Sequence, residues 1–111
     1  MKRRKKIVYI AGKINGDPNF VEKFKEVEVQ LKEQGYIVLN PADLPGGMEY
    51  EEYMTICFAM VDTADILCML PDYKDSPGAL REFRRGKDRN KAVVASETFI
   101  QGELIELKEV V

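Results

Sequence analysis

The stretch DILCMLPDYKDSPGALREFRRGKDRNKAVVA, residues 65–95, decides the fold of this chain. It begins with the apolar run 65–70, which is typical of a buried strand in a parallel sheet and is followed by a proline. Residues 76–88 predict a helix, because a serine N-cap followed by proline at the first helical position is a common helix start. Residues 91–95 predict the next strand. A strand, a helix and a second strand in this order predict part of a parallel sheet.

The same alternation extends towards the N-terminus. Residues 7–12 (IVYIAG) predict a first strand and residues 36–39 a second. The pair Asp17-Pro18 predicts the N-cap and first position of a helix that Gly35 ends, and another helix is predicted from about residue 50 to residue 63. The apolar faces of these helices consist of Phe20, Phe24, Val27 and Leu31 in the first and of Tyr53, Cys57, Met60 or Val61, and Ala64 in the second.

These elements predict one α/β domain over residues 1–111, because the length suits one domain and is too short for two. The predicted architecture is a three-layer sandwich of flavodoxin-like or Rossmann-like type, with a four- to five-stranded, mainly parallel sheet. Residues 1–6 form a basic arm, which is typical of a solvated segment but could also touch phosphate or RNA. Residues 96–111 form a C-terminal extension, in which partial alternation over 103–110 predicts a final strand.

Composition narrows the function. The net charge of −2 argues against nucleic-acid binding, and the absence of a membrane span or signal-peptide core predicts a cytoplasmic protein with no membrane partner. The chain has no histidine, so histidine-based zinc sites and catalytic triads are unavailable. Cys57 and Cys68 lie among apolar residues and predict buried reduced thiols rather than a disulfide or a metal site. Any catalysis must therefore use carboxylates, Tyr, Ser, Lys or Cys.

Ligands of parallel α/β sheets bind at the carboxyl ends of the strands, which here selects residues 12–17, 40–47 and 71–82. The last segment is the most informative. Free N–H groups of the helix after Ser76 would face the ligand, and Gly78 and Ala79 leave room for it. Glu82 lies one turn beyond Gly78 on the same helix face. The same spacing is equally typical of an ordinary capped helix with a solvated glutamate.

The segment after the first strand indicates no organic cofactor. Residues 11–16 contain two glycines but neither the GxGxxG pattern of dinucleotide sites nor the GK[ST] of a P-loop. We therefore predict no bound cofactor and no metal.

Several short motifs follow one another in the order and at the spacing of a known family. They are YIAGKING (residues 9–16), VLNPAD (38–43), Tyr53-Met54, Ala64-Asp65, Leu70-Pro71 and SPGALRE (76–82). In this respect the chain resembles the small, often phage-associated branch of the nucleoside 2-deoxyribosyltransferase-like family, with patterns YIAGPxTG, VxNPAxL and SxGAxxE. The resemblance covers roughly residues 7–95.

The resemblance implies a function and roles for several residues. Glu82 would be the nucleophile that attacks the anomeric carbon of a deoxynucleoside or nucleoside 5′-monophosphate, releasing the base and leaving a glycosyl-enzyme. Tyr9 would orient this carboxylate. Ser76 matches the serine of the nucleoside-monophosphate hydrolases and would bind a 5′-phosphate. The remaining substrate-binding residues would be Gly12, Asn15, Gly78 and Ala79. Relatives are usually dimers or larger, so a homo-oligomer is also implied.

Cys57 departs from the family pattern, because relatives carry an aspartate at this position that helps to hold the sugar or handle the leaving base. Asp72 or Asp75 could replace it, although nothing in the spacing requires this. A cysteine on an apolar helix face is also typical of a simple core residue. The alternative function is therefore a non-catalytic nucleotide-binding or regulatory module of the same fold, and a domain without any ligand is a further option.

Overall fold

The computed structural model describes residues 4–108 and contains one four-stranded sheet. Its strands are β1 (Ile7–Ala11), β2 (Ile37–Leu39), β3 (Ile66–Met69) and β4 (Ala92–Ala95). They are parallel and lie in the order β2-β1-β3-β4, with Tyr9 opposite Leu39 on one side and opposite Leu67 on the other. The predicted α/β fold with a parallel sheet is thus confirmed.

The helices lie on both faces of this sheet. They are α1 (Phe20–Glu33), α2 (Tyr50–Thr63), α3 (Pro77–Asp88) and the short α4 (Ser96–Phe99). Two single turns of 3₁₀ helix, Pro41–Asp43 and Tyr73–Asp75, follow β2 and β3. In residues 4–108 no helix has the combination of length and apolar character that crossing a membrane requires.

Alternate strand residues face opposite layers, which explains the apolar runs in the sequence. One core cluster joins the sheet to α1 and α4, and it contains Val8, Ile10, Phe24, Val27, Leu31, Ile66, Cys68, Leu70, Val94 and Phe99. The other joins the sheet to α2 and α3, and it contains Tyr9, Ala11, Cys57, Val61, Ala64, Leu67, Met69, Ala79, Phe83 and Val93. Both cysteines are buried and unpaired.

The order of the strands fixes where a ligand can bind. The chain passes from β1 outwards to β2 and then returns across the sheet to β3, so strand order reverses between β1 and β3. The loops that follow these two strands diverge to opposite faces and leave a crevice between them. Residues 12–19 and 70–76 are those loops.

Two sequence predictions about the helices are wrong, one for the start of the first helix and one for the buried face of the second. The first helix begins at Phe20 with Asn19 as N-cap, because the Asp17 carboxylate accepts the Asn19 N–H at 2.9 Å and forms a turn before the helix. The buried stripe of α2 contains Met54 in place of Tyr53.

The predicted final strand over residues 103–110 does not form in the described part of the chain. Val94 and Glu106 make one isolated antiparallel bridge, and Leu104 and Ile105 are both 53% exposed. Adjacent apolar side chains that both face water give a strand no face to bury. Residues 109–110 of this prediction, and residues 1–3 of the basic arm, lie outside the described residues; Lys5 and Lys6 of the arm are exposed.

Candidate active site

A cavity of 920 Å³ lies at the carboxyl ends of β1 and β3. Its walls come from the loop after β1, the 3₁₀ turn after β2, the first two turns of α2 and the N-terminal half of α3. All the predicted site residues except Asp72 line it: Tyr9, Gly12, Asn15, Cys57, Asp75, Ser76, Gly78, Ala79 and Glu82. Residues that are up to 73 positions apart in the sequence, as Tyr9 and Glu82 are, therefore share one cavity.

Tyr9, Cys57 and Glu82 form a buried cluster in this cavity. Their exposed fractions are 0%, 6% and 6%. Tyr9 extends from β1 towards the layer of α2 and α3, Cys57 lies on the buried face of α2, and Glu82 lies in the second turn of α3. One strand and two helices thus supply one polar group each to an otherwise apolar region.

Burial raises the pKa of Glu82 to about 7, because a carboxylate loses its hydration there. The Tyr9 hydroxyl and the Cys57 thiol act in the opposite direction, since both can donate to the charged carboxylate. Burial, and then the charge of Glu82, in turn raise the pKa of Tyr9 well above its ordinary value, and burial raises that of Cys57 to about 11. A carboxyl near neutrality beside two protonated donors is a typical arrangement for a functional site.

The Tyr9 hydroxyl is a further unusual feature of the cluster. It is fully buried, yet Oη makes no hydrogen bond of standard geometry within residues 4–108. An unpaired buried hydroxyl costs about 1–3 kcal/mol. A ligand that reached Tyr9 or drew Glu82 towards it could supply the missing hydrogen bond.

The start of α3 forms the second polar region of the cavity. Ser76 is the N-cap, and its Oγ accepts the Ala79 N–H at 3.1 Å, as the sequence predicted. Its own O–H proton remains available to a ligand. Gly78 faces the opposite wall, where an added Cβ would lie 3.4 Å from Met54 Sδ and 3.5 Å from Tyr50 Oη. The absence of a side chain at Gly78 therefore keeps the cavity open towards α2.

Asp72 supports the cavity from outside. Its Oδ1 accepts the Lys13 N–H at 3.0 Å, and its other oxygen pairs with Lys23. The Lys23 ammonium also binds the Lys13 carbonyl at 2.8 Å and the Asp17 carboxylate. Asp72 thus fixes the loop after β1 to the loop after β3, and its carboxylate is not available to replace the family aspartate.

A buried glutamate supports the opposite wall. Glu28 on α1 accepts a hydrogen bond from Asn40 Nδ2 at 2.9 Å, and Asn40 Oδ1 accepts the Ala42 N–H at 2.9 Å. Asn40 thereby caps the 3₁₀ turn whose Pro41 and Ala42 line the cavity. Lys32 pairs with Glu28 and compensates its charge.

Sequence reasoning missed the apolar and aromatic part of the lining. Tyr50, Tyr53 and Met54 project from the start of α2, and Phe20 from the start of α1. Tyr53 Oη also donates to the Pro45 carbonyl at 2.6 Å and so holds the loop before α2. The spacing of Tyr50, Met54 and Cys57, at i, i+4 and i+7, is a helical signal that could have identified this wall.

Gly12 lies close to the Leu70 side chain, with no room for a side chain of its own. Gly12→Ala should lower the free energy of unfolding by roughly 1–3 kcal/mol, because its Cβ would lie 2.7 Å from Leu70 Cδ1 and 2.8 Å from Leu70 Cβ. The matched control is Gly46→Ala, whose Cβ would meet nothing within 4 Å. Urea denaturation of both variants checks this, and equal stabilities would show that Leu70 moves aside.

Several solved structures have a fold similar to that of this chain. The structure of a 2-desoxiribosyltransferase from Leishmania mexicana is similar at a TM-score of 0.67 and 18% identity, covering 81% of this chain and 63% of that one. The structure of a CMP N-glycosidase from Clostridium botulinum is similar at a TM-score of 0.63 and 18% identity, covering 81% of this chain and 70% of that one. The structure of a 2-deoxyribosyltransferase from Bacillus psychrosaccharolyticus is similar at a TM-score of 0.61 and 20% identity, covering 80% of this chain and 70% of that one.

At these identities the likeness confirms the predicted family resemblance at the level of the fold. The chain spans less than two thirds of the length of the Leishmania protein. Comparison with curated protein sequences returned no match. A sequence-family model does match, over residues 6–95, and that range includes the three strand-end segments and every predicted site residue. The chain therefore belongs to the family described as Domain of unknown function (DUF4406).

Proposed function

We propose that this protein cleaves or transfers the N-glycosidic bond of a deoxynucleoside or nucleoside 5′-monophosphate, with Glu82 as the nucleophile. One observation carries the proposal. The Glu82 carboxyl is buried in a cavity of suitable size, forms no ion pair within residues 4–108, and has the Tyr9 hydroxyl and the Cys57 thiol as neighbours. A purely structural buried carboxylate would normally be paired with a cation, as Glu28 is.

The arrangement suits a double displacement. A Glu82 oxygen attacks the anomeric carbon, the C–N bond breaks with its electron pair going to the base, and a glycosyl ester remains on Glu82. Water or a second base then attacks the same carbon and releases the carboxylate. Because the pKa of Glu82 is about 7, a substantial fraction is ionised at neutral pH. Tyr9 would orient the attacking oxygen.

The rest of the cavity offers matching subsites. Tyr50, Tyr53 and Phe20 provide aromatic surface against which a base can pack. Ser76 and the free N–H groups at the start of α3 provide donors for a 5′-phosphate. The similar structures support the same class of reaction, since their names describe deoxyribosyl transfer and cleavage of CMP at its N-glycosidic bond.

The test of the proposed function is the release of free base. The protein should be incubated with nucleosides and 5′-monophosphates of both ribose and deoxyribose, each with and without a second base, and the products separated by chromatography. Free base alone would indicate a hydrolase, and a new nucleoside would indicate a transferase. Binding without release in every combination would favour the non-catalytic module, for which the replacement of the family aspartate by Cys57 is the specific observation.

Ser76 allows a separate prediction about the phosphate. Ser76→Ala should weaken the binding of a deoxynucleoside 5′-monophosphate at least about tenfold and leave that of the nucleoside nearly unchanged, because one hydrogen bond to a charged oxygen is worth about 1.5–3 kcal/mol. Titration calorimetry on both ligands measures this. Gly is the better replacement if Ala destabilises the N-cap. Equal losses for the two ligands would remove Ser76 from the phosphate site.

The homo-oligomer that the resemblance implies remains a proposal for this chain. Light scattering of the purified protein would test it.

A further inference from the structure

The buried cluster contains a nucleophile but no second carboxyl group. In the described residues, the titratable groups that act on Glu82 are the Tyr9 hydroxyl from β1, the Cys57 thiol from α2 and, through its charge, Arg81 from α3. Arg81 is committed to a bidentate ion pair with Glu51 on the surface. The proton donors beside the reacting carbon would therefore be a phenol and a thiol.

Neither of these groups is a good general acid near neutral pH. Burial raises the pKa of the Cys57 thiol to about 11 and that of Tyr9 well above its ordinary range. A general acid is most effective when its pKa lies near the working pH, and its contribution is typically 10²–10⁴-fold. The cluster is thus able to attack an anomeric carbon but poorly able to protonate a departing base.

The other charged groups of the cavity do not join the cluster. Asp17 is paired with Lys23 and accepts the Asn19 N–H at 2.9 Å. Asp75 is exposed in the 3₁₀ turn before α3, and Lys13 is half-buried in the loop after β1. These residues lie in the loops above the strands, whereas the cluster is almost inaccessible to water.

The leaving group then determines which substrates can react. A neutral base departs as an anion unless it is protonated, so it needs an acid. A base whose glycosidic ring carries a formal positive charge departs as a neutral molecule, because the electron pair of the broken C–N bond cancels that charge. No proton is required in this step. Water then cleaves the Glu82 ester, returning the carboxylate and releasing one proton to solvent.

The charges and rings of the cavity also favour a cationic base. The lining contains two carboxyl groups that form no ion pair in the described residues, Asp75 and Glu82, against the single ammonium of Lys13, while its third carboxylate, Asp17, is already paired with Lys23. The rings of Tyr53 and Phe20 in the lining would attract a cationic ring through their quadrupoles, whereas the Tyr50 ring already has the Arg81 guanidinium 5.6 Å from its centroid. The charges and the aromatic rings of the lining would favour a cationic base whether or not the cluster contained a general acid.

We infer that the preferred substrates are cationic N-glycosides, in which the base carries a positive charge on the ring bonded to the sugar, such as pyridinium nucleosides or N7-alkylated purine nucleosides. This inference rests on the proposed function and names the substrate class of the same site. Cys57, in the position of the family aspartate, is the residue that determines the preference.

The test compares two nucleosides that differ by one methyl group and one charge, 7-methylguanosine and guanosine, and repeats the comparison with the deoxyribose pair and with nicotinamide riboside. Rates are corrected for spontaneous hydrolysis. The wild-type kcat/KM should favour the cationic member at least about a hundredfold, the lower end of what a general acid contributes. Cys57→Asp should reduce this ratio at least about tenfold, by accelerating the neutral member alone.

Controls separate the inference from the proposed function. Cys57→Ser, which fits the same space without supplying an acid, should keep the wild-type ratio, and it also serves if Cys57→Asp does not fold by circular dichroism. Asp75→Asn removes one charge of the lining and should lower the ratio only a few-fold, by weakening the binding of the cationic member; a rise would identify Asp75 as the acid for the neutral member and overturn the inference. A wild-type ratio near one, or a ratio that Cys57→Asp leaves unchanged, would overturn it while the proposed function stands. No release from any member would overturn both.

Discussion

Replacing Glu82 with glutamine should reduce base release at least about a thousandfold, while the affinity for the ligand changes only a few-fold. The amide has the shape of the carboxyl group but is a poor nucleophile, so the glycosyl ester cannot form. The side chain is 6% exposed and lines the cavity, so the isosteric change keeps the packing of α3. Single-turnover measurement of free base, with calorimetry for binding, checks both parts of the prediction.

A matched control is available on the surface. Glu33 at the end of α1 is an exposed glutamate outside the cavity lining, and Glu33→Gln should leave the rate unchanged. Release that survives Glu82→Gln would show that another group is the nucleophile. If Glu82→Gln abolished binding together with release, the carboxylate would act in substrate recognition, and the covalent step would lose its support.

The fold could be predicted from the sequence because its strongest signals are local. Four short apolar runs, each separated from the next by a helical pattern, leave few arrangements other than a parallel sheet covered on both faces. The start of α1 was missed because Asp17 has two uses: the same carboxylate that could cap a helix instead binds the Asn19 N–H and Lys23. The C-terminal residues were misread because Leu104 and Ile105 are exposed together.

The candidate site divides in a similar way. Residues at strand ends and at the start of α3 could be placed in one crevice by the topological rule alone. The two polar contacts that hold the walls of the cavity could not be predicted from the sequence. Lys23 and Asp72 are 49 positions apart, and Glu28 and Asn40 meet only when α1 packs beside β2. Whether Cys57 is a core residue or a cavity residue was likewise open in the sequence. In the structure it is both, being buried and part of the lining.

Glu82 should make the protein less stable as the pH rises. The ion-paired carboxylates act in the opposite direction, because they make it less stable as the pH falls. Burial raises the pKa of Glu82 from 4.5 to about 7 on folding, so the folded state binds the proton more tightly than the unfolded state. Its contribution to the free energy of unfolding is fully present below pH 4.5 and is lost as the pH rises through about 7. A shift of this size corresponds to about 3 kcal/mol.

Glu82→Gln removes this dependence, so the difference in stability between the wild type and the variant reports on Glu82 alone. Carboxylates with lowered pKa, such as Asp62 at about 2 beside Arg85 and Arg89, destabilise the fold at acid pH in wild type and variant alike, so their effect cancels in the difference. We expect the two proteins to have similar stability at pH 4 and the variant to be more stable by about 3 kcal/mol at pH 8. Urea denaturation at intervals between these values measures the difference, with Glu33→Gln expected to follow the wild type throughout. Parallel curves for wild type and Glu82→Gln would mean that the Glu82 carboxyl titrates alike in the folded and unfolded chains. The cavity would then not impose the burial on which its role as a nucleophile poised near neutrality depends.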